Sequence, residues 1–134
     1  MILPNQLKTL SFLVVEDNAF TAMELCRLLR LLGASTIDVA TEGREALRKL
    51  DSMPHQPRVL LTDLRMPGMG GTEFLDRLAA RKFCGYVMIS SGVDYETRVA
   101  VENQARASGL NMMPGIGKPP DKQALADSLE GIVT

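Results

Sequence analysis

The stretch Val59-Leu60-Leu61-Thr62-Asp63-Leu64-Arg65-Met66-Pro67-Gly68 decides how this chain folds. A short apolar run ends on a carboxylate, and a Pro-Gly turn follows at once. Val59, Leu60 and Leu61 predict a strand buried on both faces, because a half-exposed strand would place a polar residue at every second position. Asp63 then lies where the strand leaves the core, at the rim where open α/β sheets bind their ligands.

On the N-terminal side, Ser11-Phe12-Leu13-Val14-Val15 predicts a strand that stops at Glu16-Asp17. Asn18 is placed to cap a following helix, in which Phe20, Met23, Leu28 and Leu32 approximate an apolar stripe and Gly33 suits a left-handed stop. Thr36 to Ala40 alternates like a strand with one wetter face, and Gly43 to Leu50 carries Ala46, Leu47 and Leu50 along one side of a short helix. The prolines of Met53-Pro54-His55-Gln56-Pro57 mark a loop, with His55 a solvated residue in it.

On the C-terminal side, Gly70-Gly71-Thr72 leads into a helix bearing Phe74, Leu75 and Leu78, with Thr72 as its expected cap. Tyr86 to Ile89 predicts the fourth strand, ending at Ser90-Ser91-Gly92. A helix over Asp94 to Ser108 has only a thin apolar face (Val93, Val99, Ala100, Ala107) and ends at Gly109. Asn111 to Ile116 predicts a fifth strand that Pro114 and Gly115 weaken. Lys118-Pro119-Pro120 then stops the chain sharply, and Asp121 caps a last helix through Leu125, Leu129 and Ile132. Five successive βα units call for a parallel sheet with helices on both faces.

With 134 residues, the chain has the size of one domain, expected over 1–134. A net charge of −1 supplies no electrostatic footprint for nucleic acid or an acidic membrane. No apolar run approaches the roughly 18 residues that span a bilayer. Met1 to Leu10, with an early Pro4, does not follow the pattern of a signal peptide. Cys26 and Cys84 sit in apolar segments without metal-type spacing, which predicts buried free thiols and a reducing cytoplasm. Met66, Met69, Met112 and Met113 are expected to serve packing rather than binding.

In a parallel sheet all strands end at one edge, so Glu16, Asp17, Asp63, Ser90 and Lys118 can meet. Three crowded carboxylates repel one another unless a cation joins them. Oxygen donors with no His or Cys nearby favour Mg²⁺ over Zn²⁺. A lysine adds a point positive charge and a serine hydroxyl a donor. That set suits attack of a carboxylate on phosphorus to give an aspartyl phosphate. Other phosphate motifs fail. Gly115-Ile116-Gly117-Lys118 imitates a P-loop tail, but Pro119 stands where Ser or Thr is needed, and Gly68-Met69-Gly70 lacks the third glycine of a dinucleotide fingerprint.

The spacing of Glu16-Asp17, Asp63 with Met66-Pro67-Gly68, Ser90 and Lys118-Pro119 resembles the receiver domain of two-component response regulators, over about Leu10 to Val133. The resemblance implies a flavodoxin-like (βα)5 doubly wound parallel sheet in the order 2-1-3-4-5. It implies that Asp63 is the phosphoacceptor for a histidine kinase or phosphotransfer protein. Asp17, Asp63 and the backbone carbonyl of Arg65 would hold Mg²⁺ directly and Glu16 through water, while Ser90 and Lys118 contact the phosphoryl group. By the same resemblance, Arg65 and Gly92 would occupy positions that tune its hydrolysis. A signalling module rather than a turnover enzyme is implied, since phosphatases with an Asp nucleophile carry a second acid where this chain has Arg65.

Two departures stand out. Receivers usually carry Tyr or Phe three residues before the lysine, whereas this position is Gly115, with Tyr95 as a candidate replacement. The interval from Ser90 to Lys118 is also long. Together with Gly-Ile-Gly-Lys-Pro it is similar to receivers ahead of EAL-type cyclic-di-GMP phosphodiesterase domains, which makes an EAL-type output domain beyond Thr134 one expectation and a stand-alone, possible oligomeric regulator the other. Gly115 also motivates an alternative, a phosphate-independent interaction module that keeps the fold and the acidic pocket.

Overall fold

The five apolar runs become five parallel strands: β1 (Ser11–Val15), β2 (Thr36–Ala40), β3 (Val59–Thr62), β4 (Tyr86–Ile89) and β5 (Asn111–Met112). They lie in the order β2-β1-β3-β4-β5. The structure is a computed structural model and describes residues 2–3 and 5–133. Met1, Pro4 and Thr134, on which the domain limits and part of the N-terminal reading fall, lie outside the described residues. Five helices connect and follow the strands: α1 (Ala19–Leu31), α2 (Gly43–Ser52), α3 (Gly71–Ala80), α4 (Tyr95–Ala107) and α5 (Lys122–Val133).

The strand order decides which face each helix covers. The chain steps from β1 outward to β2, then reverses to β3 on the other side, and right-handed crossovers put helices before and after the reversal on opposite faces. Accordingly, α2, α3 and α4 pack with Leu13, Val15, Leu60 and Ile89 on one face of the sheet. Helices α1 and α5 pack with Phe12, Val14, Leu61 and Met88 on the other. Val59 to Thr62 is buried at every position, as a strand covered on both faces requires. Leu7 is fully buried in the second cluster, so the core begins before Leu10.

Several local expectations shift. The buried stripe of α1 is Ala22, Leu25, Cys26 and Leu29, with Leu28 beside it. Phe20 and Met23 instead point to solvent, 79 % and 70 % exposed. Their spacing fits a helix equally well, but Ala22, Leu25, Cys26 and Leu29 are the true i, i+3, i+4, i+7 set. Helix α3 is capped by Gly70 without a side-chain bond, and Thr72 is an exposed residue inside it. Cys26 is buried and burial pushes its thiol pKa up, whereas Cys84 is exposed, contrary to expectation, in the turn before β4. The left-handed backbone of Gly33 (φ 113°) and Gly109 (φ 103°) follows α1 and α4, as expected of helix-ending glycines.

Helix α4 begins at Asp94, whose Oδ1 accepts from the Thr97 N–H at 2.7 Å. That backbone bond holds the Asp94 carboxyl below its ordinary 3.8. A depressed carboxyl pKa adds stability that is complete above the unfolded value and lost as pH falls through the folded one. Asp94→Ala should therefore melt earlier than the parent at about pH 7, and the gap should close toward about pH 3. Paired thermal melts at the two pH values check this.

Strand β5 is only two residues long, because Pro114 and Gly115 interrupt the ladder. Pairing resumes as a single bridge between Ser90 and Ile116. The chain then reaches Lys118 beside the end of β3.

Candidate functional site

The site forms at the C-terminal edge of the sheet, where the reversal between β1 and β3 opens a crevice. Glu16 follows β1 directly, with its N–H on the Ala40 carbonyl of β2 (2.9 Å). Asp63 follows β3, with its N–H on the Val15 carbonyl (3.2 Å). These ladder bonds continue the sheet one residue past each strand, so both carboxylates project from rigid backbone. Glu16 is 1 % and Asp63 5 % exposed.

Backbone amides orient the acids further. Asp63 Oδ1 accepts from the N–H groups of Leu64 (2.7 Å) and Arg65 (3.2 Å), which the turn after β3 directs back at it. Glu16 Oε2 accepts from the Asn18 N–H at 3.1 Å. Asn18 in turn caps α1 through its side chain, on the Thr21 N–H. Amide donors of this kind are invisible in a list of side chains, and this is the part of the site that sequence reasoning missed.

Lys118 closes the cluster. Its Nζ donates to Asp63 Oδ2 at 2.7 Å and lies 2.6 Å from Glu16 Oε1. Glu16 Oε1 makes no directed hydrogen bond besides this ion pair. Oxygens of Glu16, Asp17 and Asp63 lie within 4.8 Å of one another, with Asp17 exposed at the mouth. Three carboxylates therefore face one ammonium. Burial pushes the Glu16 carboxyl up and Asp63's charge adds to it, and the pull of Lys118 and Asn18 downward does not cancel that rise. Burial alone would lower the Lys118 ammonium, but its bonds to Asp63 and Glu16 more than offset it and hold the pKa above 10.5. Lys118 thus stays charged.

Ser90 is brought to the same edge by β4. Its N–H donates to the carbonyl of Thr62, the residue before Asp63 (2.9 Å). Its hydroxyl is buried and has no hydrogen-bond partner among the described residues. Arg65 contributes its backbone N–H to Asp63, while its side chain is exposed. Tyr95, the candidate replacement for the missing aromatic, is 69 % exposed and its ring lies against the Arg98 guanidinium. His55 is exposed, and Met66, Met69 and Met113 are packed in the interior, as expected.

Chemically, the arrangement is a carboxylate with its oxygens fixed, a charged lysine on one of them, and a cluster of hard oxygen donors beside it. Such a set can hold a divalent cation and stabilise negative charge growing on phosphoryl oxygens.

The family model of the response regulator receiver domain matches residues 12–130. The cyclic di-GMP phosphodiesterase RocR of Pseudomonas aeruginosa is 33 % identical over 110 residues, which is 82 % of this chain and 28 % of that protein. A protein-glutamate methylesterase/protein-glutamine glutaminase of Rhodospirillum rubrum is 35 % identical over 107 residues, covering 80 % of this chain and 27 % of its own length. The chain thus spans little more than a quarter of these curated relatives. Among solved structures, the N-terminal domain of an uncharacterized Wolinella succinogenes protein superposes with TM-score 0.73 at 28 % identity, covering 92 % of this chain and 93 % of that one. A chain of the Borrelia burgdorferi CheX-CheY-BeF3-Mg complex gives TM-score 0.80 at 23 % identity, over 93 % of this chain and 90 % of that one, a likeness of fold.

Proposed function

The chain belongs to the response regulator receiver domain family, whose members accept a phosphoryl group in two-component signalling, and from that premise we propose that Asp63 is its phosphoacceptor. The observation that carries this reading is the carboxylate of Asp63 held by two backbone amides and Lys118 beside a further pair of acids.

In the proposed step a carboxylate oxygen of Asp63 forms a bond to phosphorus as the donor's N–P bond breaks. The leaving imidazole of a histidine kinase or phosphotransfer protein takes a proton from solvent. Lys118, charged at neutral pH, pairs with a phosphoryl oxygen in place of its bond to Asp63 Oδ2. The buried Ser90 hydroxyl, without a hydrogen-bond partner among the described residues, donates to another. Glu16 keeps Lys118 in place from the opposite side.

The acids fit a hard dication, because oxygens of Glu16, Asp17 and Asp63 lie within 4.8 Å of one another and three carboxylates facing one ammonium repel one another. Asp17, Asp63 and the Arg65 backbone carbonyl would hold Mg²⁺, with Glu16 through water. Bound there, it supplies positive charge for the phosphoryl oxygens. In this reading the chain is a switch, and its only chemistry is its own phosphorylation and dephosphorylation.

The relation to RocR supports an attached EAL-type output domain as the element regulated. No described helix is long and apolar enough to cross a membrane, and we place the switch in the cytoplasm with its kinase. A phosphate-independent module is the second reading, favoured by Gly115.

Incubation with acetyl phosphate and Mg²⁺ should add one phosphoryl group by intact mass, with the label in the peptide that contains Asp63. With the metal chelated by EDTA before the donor is added, no adduct should form. No adduct at saturating donor would overturn the phosphoacceptor reading, and an adduct that leaves partner affinity unchanged would favour the phosphate-independent one.

A further inference from the structure

Gly115 is where helix α4 touches the backbone that leads to the phosphoacceptor site. Its N–H donates to Glu102 Oε2 at 2.8 Å. Glu102 lies on the sheet-facing side of α4 and is only 6 % exposed. Arg98, one turn earlier, has Nε 3.7 Å from the same oxygen. That Nε is buried and has no hydrogen-bond partner among the described residues, and the guanidinium lies over the Tyr95 ring at 5.5 Å from its centre. The expected apolar face of α4 forms only in part, with Val93 and Val99 half-buried. Ala100 and Ala107 are exposed, and a charged pair sits beside Val101 and Ala105 against the sheet.

A buried ion pair is a poor source of stability, since an apolar pair of similar size does as well or better. Its position suggests what it does. The next residue, Ile116, donates its N–H to Ile89 (2.8 Å) and accepts from the Ser91 N–H (3.2 Å). The Glu102 contact is thus one peptide from the Ser90–Ile116 bridge and three residues from Lys118. A side chain at position 115 would force Glu102, Arg98 and the Ile89 backbone to shift. An added Cβ would lie 2.5 Å from Glu102 Oε2, 2.7 Å from the Ile89 carbonyl and 2.9 Å from Arg98 Cδ. Glycine lets the carboxylate reach the backbone.

We propose that Glu102 is a positioning residue that couples α4 to the phosphoacceptor site through the backbone of Gly115. The coupling rests on the reading of Asp63 given above. When Lys118 and Ser90 turn to a phosphoryl group on Asp63, the Gly115–Ile116 segment between them shifts. This bond lies near the short end of the ordinary range at 2.8 Å, and opening it to about 3.6 Å would end it. The shift breaks the Gly115–Glu102 bond, and α4 loosens with Arg98 still paired to Glu102. Linkage runs both ways, so weakening this bond also changes how readily Asp63 holds its phosphoryl group.

The test compares the full chain with Glu102→Ala and Glu102→Gln, each with and without acetyl phosphate and Mg²⁺. Intact mass reports the adduct, and hydrogen exchange reports the peptides of α4 and of residues 111–118. In the parent, phosphorylation should speed exchange of α4 by about tenfold. In Glu102→Ala, α4 should exchange quickly from the start and respond little. Glu102→Gln keeps an acceptor for the Gly115 N–H but not the charge facing Arg98, and should restore part of the response. It carries the comparison alone if the alanine variant does not fold. An adduct with unchanged α4 exchange in the parent, or with equal changes in all folded variants, overturns the coupling alone. No adduct in any of them overturns the phosphoacceptor reading and the coupling together.

Discussion

Replacing Asp63 with Asn is expected to abolish the phosphoryl adduct completely while leaving the fold in place. The amide oxygen has no formal negative charge and is a far weaker nucleophile than a carboxylate, so the bond to phosphorus does not form. The fold survives because Oδ1 still accepts from the Leu64 and Arg65 N–H groups, the two bonds that seat the side chain. Lys118 keeps Glu16, 2.6 Å away. One of three mutually repelling carboxylates is gone, so the melting temperature should hold or rise. Intact mass after acetyl phosphate treatment and a thermal melt decide it. An adduct of parental yield on the Asn variant would place the acceptor elsewhere.

Gly71→Ala should cost about 3 kcal/mol of stability, or roughly 10 °C in melting temperature, and should slow phosphorylation as well. Gly71 opens α3, where alanine would ordinarily help a helix. Here the added Cβ would lie 2.4 Å from Leu64 Cα and 2.9 Å from the carbonyl oxygens of Asp63 and Leu64. These are backbone atoms and cannot swing aside. The Gly71 N–H is itself bonded to the Leu64 carbonyl (3.1 Å), so α3 is pinned to the turn that follows Asp63. Relief of the clash must move Asp63 or tilt α3, and either disturbs the amide bonds that orient the carboxylate. Gly70→Ala is the control, because a Cβ there meets nothing within 4 Å. Melting curves and initial rates of adduct formation for the two variants check the contrast. Equal behaviour would mean that the turn after β3 is soft.

The two substitutions mark different degrees of legibility. Asp63 stands out in the sequence because an apolar run stops on it before a Pro-Gly turn. Gly71 does not stand out, because the need for glycine comes from Leu64 across a close approach rather than from its own backbone angle. Helix α1 shows the same limit. Its apolar residues occupy more than one helical face, and only the packing of the sheet chose Leu25 and Leu29 over Phe20 and Met23. Cys84 was expected inside on the strength of apolar neighbours, yet it lies in an exposed turn, since burial belongs to the path of the chain and not to local composition.

By itself, the sequence determined the order of five βα units, the parallel sheet, and the strand-end residues Glu16, Asp17, Asp63, Ser90 and Lys118. These follow from apolar periodicity and turn residues, which act over short stretches. Tertiary structure decided what those residues touch. It set Lys118 between Glu16 and Asp63, turned the amides of Leu64 and Arg65 onto one carboxylate oxygen, and laid Glu102 against Gly115. The Lys118 and Glu102 contacts join residues 13 to more than 100 apart in the chain, and even the short-range amide bonds depend on how the turn after β3 is held, which no local pattern encodes.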